Sequence, residues 1–171
     1  MKQALLWLGL AAGLTVGAAE APKAELFGGY GLMKVEDESL HGWAAGASFR
    51  LKGRLALALD ASGHSRTVDG VDVDRLVLAA GPSLSLLRSE RVAVEAHVLA
   101  GAVRDSQGLE VYGVSITETD TGFGLLAGGS LDLSLGRRFG LRLARVDWVY
   151  ASREGQSSND VRFAAGLLFR P

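Results

Sequence analysis

The sequence predicts an all-β chain: a transmembrane up-and-down antiparallel β-barrel of about eight strands, preceded by a cleaved signal peptide. Three observations carry this reading. Apolar residues alternate along most of the chain, connections alternate between long and short, and an apolar leader stands at the start.

The leader comes first. Met1-Lys2-Gln3 is followed by an apolar run, Ala4 to Leu14, and then by small residues up to Ala21. A basic start, an apolar core and a small-residue cleavage site make a secretory signal peptide. The core is shorter than the roughly 20 residues a spanning helix needs. Gly17 and Ala19 place small residues at the −3 and −1 positions, so cleavage is expected between Ala19 and Glu20, with Ala18/Ala19 next. Residues 1–19 are then the leader, and residues 20–171 form one barrel domain. The chain has no cysteine and a formal net charge of −1. A disulfide framework, a thiolate metal site and nucleic acid as a partner are therefore not expected.

Strands follow from the alternation. Leu55-Ala56-Leu57-Ala58-Leu59-Asp60 and Leu131-Asp132-Leu133-Ser134-Leu135 are the clearest cases, and Val92 to Val98 continues the pattern. Period two puts one class of side chain on each face of a strand. Eight segments result, at about 24–35, 42–51, 54–63, 72–87, 91–103, 121–135, 138–151 and 160–170. Each reaches the roughly 9–11 residues a tilted strand needs to cross a bilayer.

The connections sort these strands. Lys52-Gly53, Arg88-Ser89-Glu90 and Gly136-Arg137 are tight. The other four, around Glu36–His41, His64–Val71, Arg104–Asp120 and Ser152–Asn159, are longer, polar and rich in acid. Short periplasmic turns and long outer loops are the signature of an outer-membrane barrel. The tight turns are also basic, through Lys52, Arg54, Arg88, Arg91, Arg137 and Arg138.

The faces are assigned next. Leu55, Leu57 and Leu59, then Leu76, Leu78 and Ala80, then Val92, Val94, Ala96 and Val98, and finally Phe163, Ala165, Leu167 and Phe169 would face lipid. The small and charged residues opposite them would face the lumen. In the seventh segment parity fails: Leu141 and Leu143 share a face with Arg145 and Asp147. A β-bulge near Ala144–Arg145 would turn Asp147 inward and return Val146, Trp148 and Tyr150 to lipid. Aromatics fall at two levels, Trp43, Phe123, Trp148, Tyr150 and Phe163 toward the outside, and Phe49, Phe139 and Phe169 toward the inside, as interface girdles would. A soluble lipocalin-like barrel would alternate as well. Its exterior would be densely polar, which the Gly/Ala-rich second face is not.

The last two strands, Leu141-Arg142-Leu143-Ala144-Arg145-Val146-Asp147-Trp148 and Asn159 to Arg170, resemble the bacterial outer-membrane β-barrel domain family. That group contains OmpX-type barrels and the membrane domain of outer membrane protein A. The likeness is specific near the C-terminus and architectural elsewhere. It implies residence in the outer membrane, contact with its lipid and lipopolysaccharide, and delivery by the barrel assembly machinery. It also implies that Gly166 and Phe169 belong to a C-terminal assembly signal. Pro171 departs from that pattern, where a terminal aromatic is usual.

Chemistry is expected mainly inside. Asp60, Arg75, Glu95, Asp132, Arg142, Asp147 and Arg162 would point into a narrow lumen and pair, because an unpaired buried charge costs several kcal/mol. His97 beside Glu95 would join them, while His41 and His64 are expected in loops. No His cluster at metal-ligand spacing exists, and Asp69 to Asp74 lacks the full spacing of a calcium loop. His64 and Ser65 are adjacent, so on a strand they would face opposite ways, unsuited to a nucleophile and its base. The connection from Ser106 to Thr117 alternates and could extend a hairpin above the membrane. The reading is a monomeric, non-catalytic outer-membrane barrel without cofactor, plugged by ion pairs and serving a structural or surface-interaction role. A narrow channel and a lipid A-modifying enzyme are the alternatives. N-terminal sequencing of the mature protein should find Glu20 or Ala19 first; retained Met1 would refute export.

Overall fold

A computed structural model describes residues 22–35, 38–68, 71–111, 114–153 and 156–171; the expected leader, residues 1–19, lies outside them. Eight strands follow in order: β1 (Ala24–Val35), β2 (Glu38–Lys52), β3 (Leu55–Val68), β4 (Val71–Arg88), β5 (Val92–Val111), β6 (Val114–Ser134), β7 (Phe139–Arg153) and β8 (Gln156–Phe169). Each pairs antiparallel with the next, and β8 returns to β1, closing the barrel. The seam runs from Leu26 opposite Phe169 to Lys34 opposite Val161. At its centre Gly29 faces Gly166. A Cβ on Gly29 would lie 2.1 Å from the Ala165 carbonyl oxygen, and one on Gly166 would lie 2.4 Å from that of Gly28. Only glycine permits this approach.

Alternation sets the faces as expected. On β8, Asp160, Arg162, Ala164 and Leu168 are buried while Val161, Phe163, Ala165, Leu167 and Phe169 are exposed. Leu57, Leu59, Leu78, Val98 and Leu131 are exposed on other strands, so the outside is an apolar belt. Such a continuous apolar exterior on a closed sheet is suited to lipid and not to water. Trp43, Phe123, Trp148 and Phe163 stand on this exterior, with Tyr150 partly exposed. Phe49, Phe139 and Phe169 stand on it nearer the tight turns. Trp43 and Phe49 on β2 are as far apart in sequence as Phe163 and Phe169 on β8, which gives two bands. Tyr30, paired with Trp43, adds to the upper one, and the Phe139 and Phe169 rings meet in the lower one at 5.4 Å.

The tight turns form where expected. Gly53 takes a left-handed φ of 57° in the β2–β3 turn, a conformation that favours glycine. Ser89 N–H donates to the Val92 carbonyl at 2.8 Å, and Leu135 N–H to that of Phe139 at 3.0 Å.

The long connections differ from expectation except between β5 and β6, where the alternation from Ser106 to Thr117 does extend the hairpin. Most residues assigned to polar loops continue the strands: β3 and β4 stay paired to Val68 opposite Val71, and β5 and β6 to Val111 opposite Val114. Polar side chains do not end a ladder whose backbone groups still find partners, and the alternating Val and Ile residues here favour strand. His41 and His64 are therefore strand residues. The outer rim is uneven. Among the described residues, β6 pairs with β7 only from Phe123 downward, so its stretch above has β5 alone as neighbour.

The β7 bulge is present, slightly earlier than expected. Leu131 pairs with Ala144 and Asp132 with Arg142; on the other side the register skips from Arg142 to Arg145. Leu143 and Ala144 both face out, while Arg142, Arg145 and Asp147 all face in. The extra residue resets the parity, returning Val146 and Trp148 to the exterior.

If the exterior meets lipid, the cost of a charge depends on depth. Leu59→Arg, within the belt, is expected to cost about 2–4 kcal/mol, whereas Leu51→Arg, near the β2–β3 turn, should cost about 0–1 kcal/mol. Denaturant unfolding in lipid vesicles measures both, and equal small costs would contradict a membrane exterior.

Candidate functional site in the lumen

Inward side chains fill the barrel in layers. The layer nearest the tight turns is ionic. Arg142 donates to both oxygens of Asp132, each at 2.8 Å, and lies 4.8 Å above the Phe27 ring centroid. Arg170 donates to Glu25 at 2.6 Å and to the Ser134 hydroxyl at 3.0 Å. Arg88 reaches Glu95 at 2.6 Å. Bidentate guanidinium–carboxylate pairing is the strongest geometry open to these groups.

The middle layer is centred on Asp147, which is fully buried. One Asp147 oxygen accepts from Arg162 Nη2 at 2.6 Å, Arg162 Nε at 2.9 Å and Arg145 Nε at 2.9 Å. The other lies 2.6 Å from His97 Nε2. Arg162 Nη1 donates to Asp60 and to the Ser62 hydroxyl, both at 2.7 Å, and Arg145 Nη1 meets the second Asp60 oxygen at 2.7 Å. Arg162 thus joins β8 to β3 and β7 across the interior.

Above it stands an apolar layer: Met33, Leu40, Val77, Leu99, Leu126 and Val149 are all buried and in one cluster. A third ionic group caps that layer. Arg75 donates to Asp105 at 2.7 and 3.0 Å and to Asp160 at 2.5 Å, and Arg153 also reaches Asp105. A space of about 30 Å³ lies among the ionic groups, bordered by Glu25, Ser83, Glu95, His97, Ser130 and Arg142. That volume admits one or two waters.

All seven sequence-derived charges point inward, but they do not make one network. Asp60, Asp147 and Arg162 meet; Glu95, Asp132 and Arg142 belong to the layer below; Arg75 pairs instead with Asp105 and Asp160. Glu25, Arg88, Asp105, Arg145, Asp160 and Arg170 were not assigned to the lumen from sequence. Asp160 and Arg170 share the parity of Arg162, so alternation could have found them. Arg145 required the bulge to be placed correctly. The apolar layer corrects the expectation that the inward face is only small and charged. His64 is buried, while adjacent Ser65 is exposed, so they do point apart. His41 is exposed, and its ring nitrogen meets the Tyr30 hydroxyl. Glu25, Glu95 and Asp132 bring three carboxylates within 4.8 Å, but each already has its own arginine. Of the Asp69–Asp74 run, Asp69 and Gly70 lie outside the described residues.

The sequence matches no family model and no curated protein. Solved structures do match. Ail, the attachment invasion locus protein of Yersinia pestis, aligns over 88% of this chain and 100% of its own, with a TM-score of 0.65 and 16% identity. The fold is that of the small outer-membrane barrels. Neisserial surface protein A aligns over 86% of this chain and 96% of its own, at a TM-score of 0.61 and 15% identity. The N-terminal β-barrel domain of Pseudomonas aeruginosa OprF covers 88% and 100%, at 0.55 and 13%. Ail has also been crystallised with the heparin analogue sucrose octasulfate.

Because Arg162 serves two carboxylates, its removal leaves both short of a partner. Arg162→Ala is expected to lower stability by about 3–5 kcal/mol, whereas exposed Ser65→Ala should change it by less than about 0.5 kcal/mol. Unfolding in detergent compares them, and a small loss at Arg162 would mean that water and Arg145 replace it.

Proposed function

We propose that this protein is a monomeric, non-catalytic barrel of the bacterial outer membrane, closed through its centre and exposed to partners at its outer rim. The observation that carries the closed lumen is the stacking of two ionic layers, an apolar cluster and an ionic cap, all built from buried side chains. An ion crossing this interior would have to break bidentate pairs and then pass the hydrocarbon around Leu99, Leu126 and Val149. Both steps oppose conduction.

The apolar belt and its two aromatic bands support contact with outer-membrane lipid, with lipopolysaccharide on the outer side. The Gly166–Phe169 segment, seated at the closing seam, supports delivery by the barrel assembly machinery. The β5–β6 hairpin supports the surface role, because a strand edge free on one side can accept an added strand. The outer connections are acidic, through Glu36, Asp37, Asp69, Glu118, Asp120 and Glu154. That charge disfavours a polyanion such as the one crystallised with Ail and favours a cationic or hydrogen-bonding partner.

Planar-bilayer recording should show no conductance from the wild-type barrel. Lipid A from cells expressing it should be unchanged in mass. Stable current steps altered by Arg142→Ala would make it a channel, and a lipid A mass shift would make it an enzyme.

A further inference from the structure

The end of the barrel bearing the tight turns carries a feature that the closed lumen does not use. Below the lowest ionic layer is a vestibule of about 700 Å³, bordered by Arg88, Ser89, Arg91, Ser134, Arg137 and Arg170. The β4–β5 and β6–β7 turns form its walls, clasped by the Ser134 N–H donating to the Arg91 carbonyl at 2.7 Å. Among the described residues bordering it, Glu90 is the only acid. Of its four arginines, Arg170 is paired with Glu25 and Arg88 with Glu95, which leaves Arg91 and Arg137 against Glu90.

Two of these arginines are only partly engaged. Arg170, 6% exposed, spends Nε on Glu25 and Nη1 on Ser134; its Nη2 is buried with no hydrogen-bond partner. Arg88 spends Nη2 on Glu95, and its Nε is likewise buried without one. Buried donors left unpaired are costly, and ligands commonly satisfy them. Arg91 and Arg137 are exposed at the rim, and no salt bridge among the described residues uses either.

We infer that this vestibule binds a phosphate-bearing anion, held between the exposed Arg91 and Arg137 and the half-satisfied Arg88 and Arg170. A guanidinium fork matches phosphate oxygens in pairs. The two arginines without a carboxylate partner, Arg91 and Arg137, border the same space as the side chains with free N–H groups and favour an anion there. The phosphate could come from either of two sources. Leu135, on the vestibule wall, is 61% exposed and adjoins the lower aromatic band, so a phospholipid headgroup from the facing leaflet can reach the site with its chain against Leu135. The vestibule also opens to solvent, so a soluble phosphate compound can enter. Exposed Lys52, Arg54 and Arg138 nearby add to the attraction for both.

The test uses the folded full-length mature barrel. Inorganic pyrophosphate is titrated calorimetrically in an uncharged detergent at low ionic strength. Separately, the barrel in phosphatidylcholine nanodiscs containing a minority of phosphatidylglycerol is assayed for retained lipid by native mass spectrometry. The variant is the exposed pair Arg91→Ala/Arg137→Ala, checked for folding by its boiling-dependent gel shift. Lys34→Ala/Arg104→Ala at the other end is the control. Saturable pyrophosphate binding, weakened about tenfold or more by the first pair and unchanged by the control, assigns a soluble source. Selective phosphatidylglycerol retention lost in the first pair, without pyrophosphate binding, assigns the headgroup. Neither binding, or binding the first pair leaves unchanged, overturns the site. Conductance of the lumen has no bearing on either readout.

Discussion

Everything in this molecule depends on β8 finding β1. An open eight-stranded sheet would present two rows of unpaired N–H and C=O groups to hydrocarbon, where no water can satisfy them. The seam from Leu26–Phe169 to Lys34–Val161 removes both rows at once. Its centre is narrow, with Gly29 against Gly166 and each backbone pressed on the other. The resemblance to the outer-membrane barrels assigned Gly166 to an assembly signal; the fold gives the same residue a packing reason. Closure also separates two solvents, and the exterior and the interior then follow opposite rules.

The exterior was legible because it is one-dimensional. Leu57 and Leu59, or Phe163 and Phe169, need only parity to place them, and parity is visible in the sequence. The tight turns were legible for a similar reason, since Gly53 and Ser89 are local signals. Strand length outside the membrane was legible only in part. The alternation from Ser106 to Thr117 did point to the extended hairpin that pairs up to Val111 and Val114, but nothing in His64 to Val71 announced that β3 and β4 stay paired to Val68 and Val71. Composition reports on what a side chain meets, whereas a ladder is held by backbone groups that nearly every residue carries.

The interior was legible only by charge. Asp60, Asp147 and Arg162 could be expected inside, but which carboxylate meets which arginine depends on strands far apart in sequence, and on height within the barrel. Arg75 illustrates the difficulty. It has the right parity, but its partners are Asp105 and Asp160 at the outer end and not the carboxylates that Arg162 holds. Leu99 and Leu126 point inward although their composition suits lipid equally well. A narrow lumen removes water from both faces of the sheet, so hydrophobicity alone cannot tell its two sides apart.

The bulge at Leu143–Ala144 means that β7 is read in two frames. Residues before it and residues after it assign inside and outside by opposite parity, and one amino acid marks the change. Asp147, on which two guanidinium groups and an imidazole converge, owes its inward position to that single increment of chain length. Substitution along this strand therefore alters chemistry one position at a time, whereas loss of one residue at the junction would exchange the two environments for every residue up to Arg153. The segment tolerates errors of spelling far better than errors of counting.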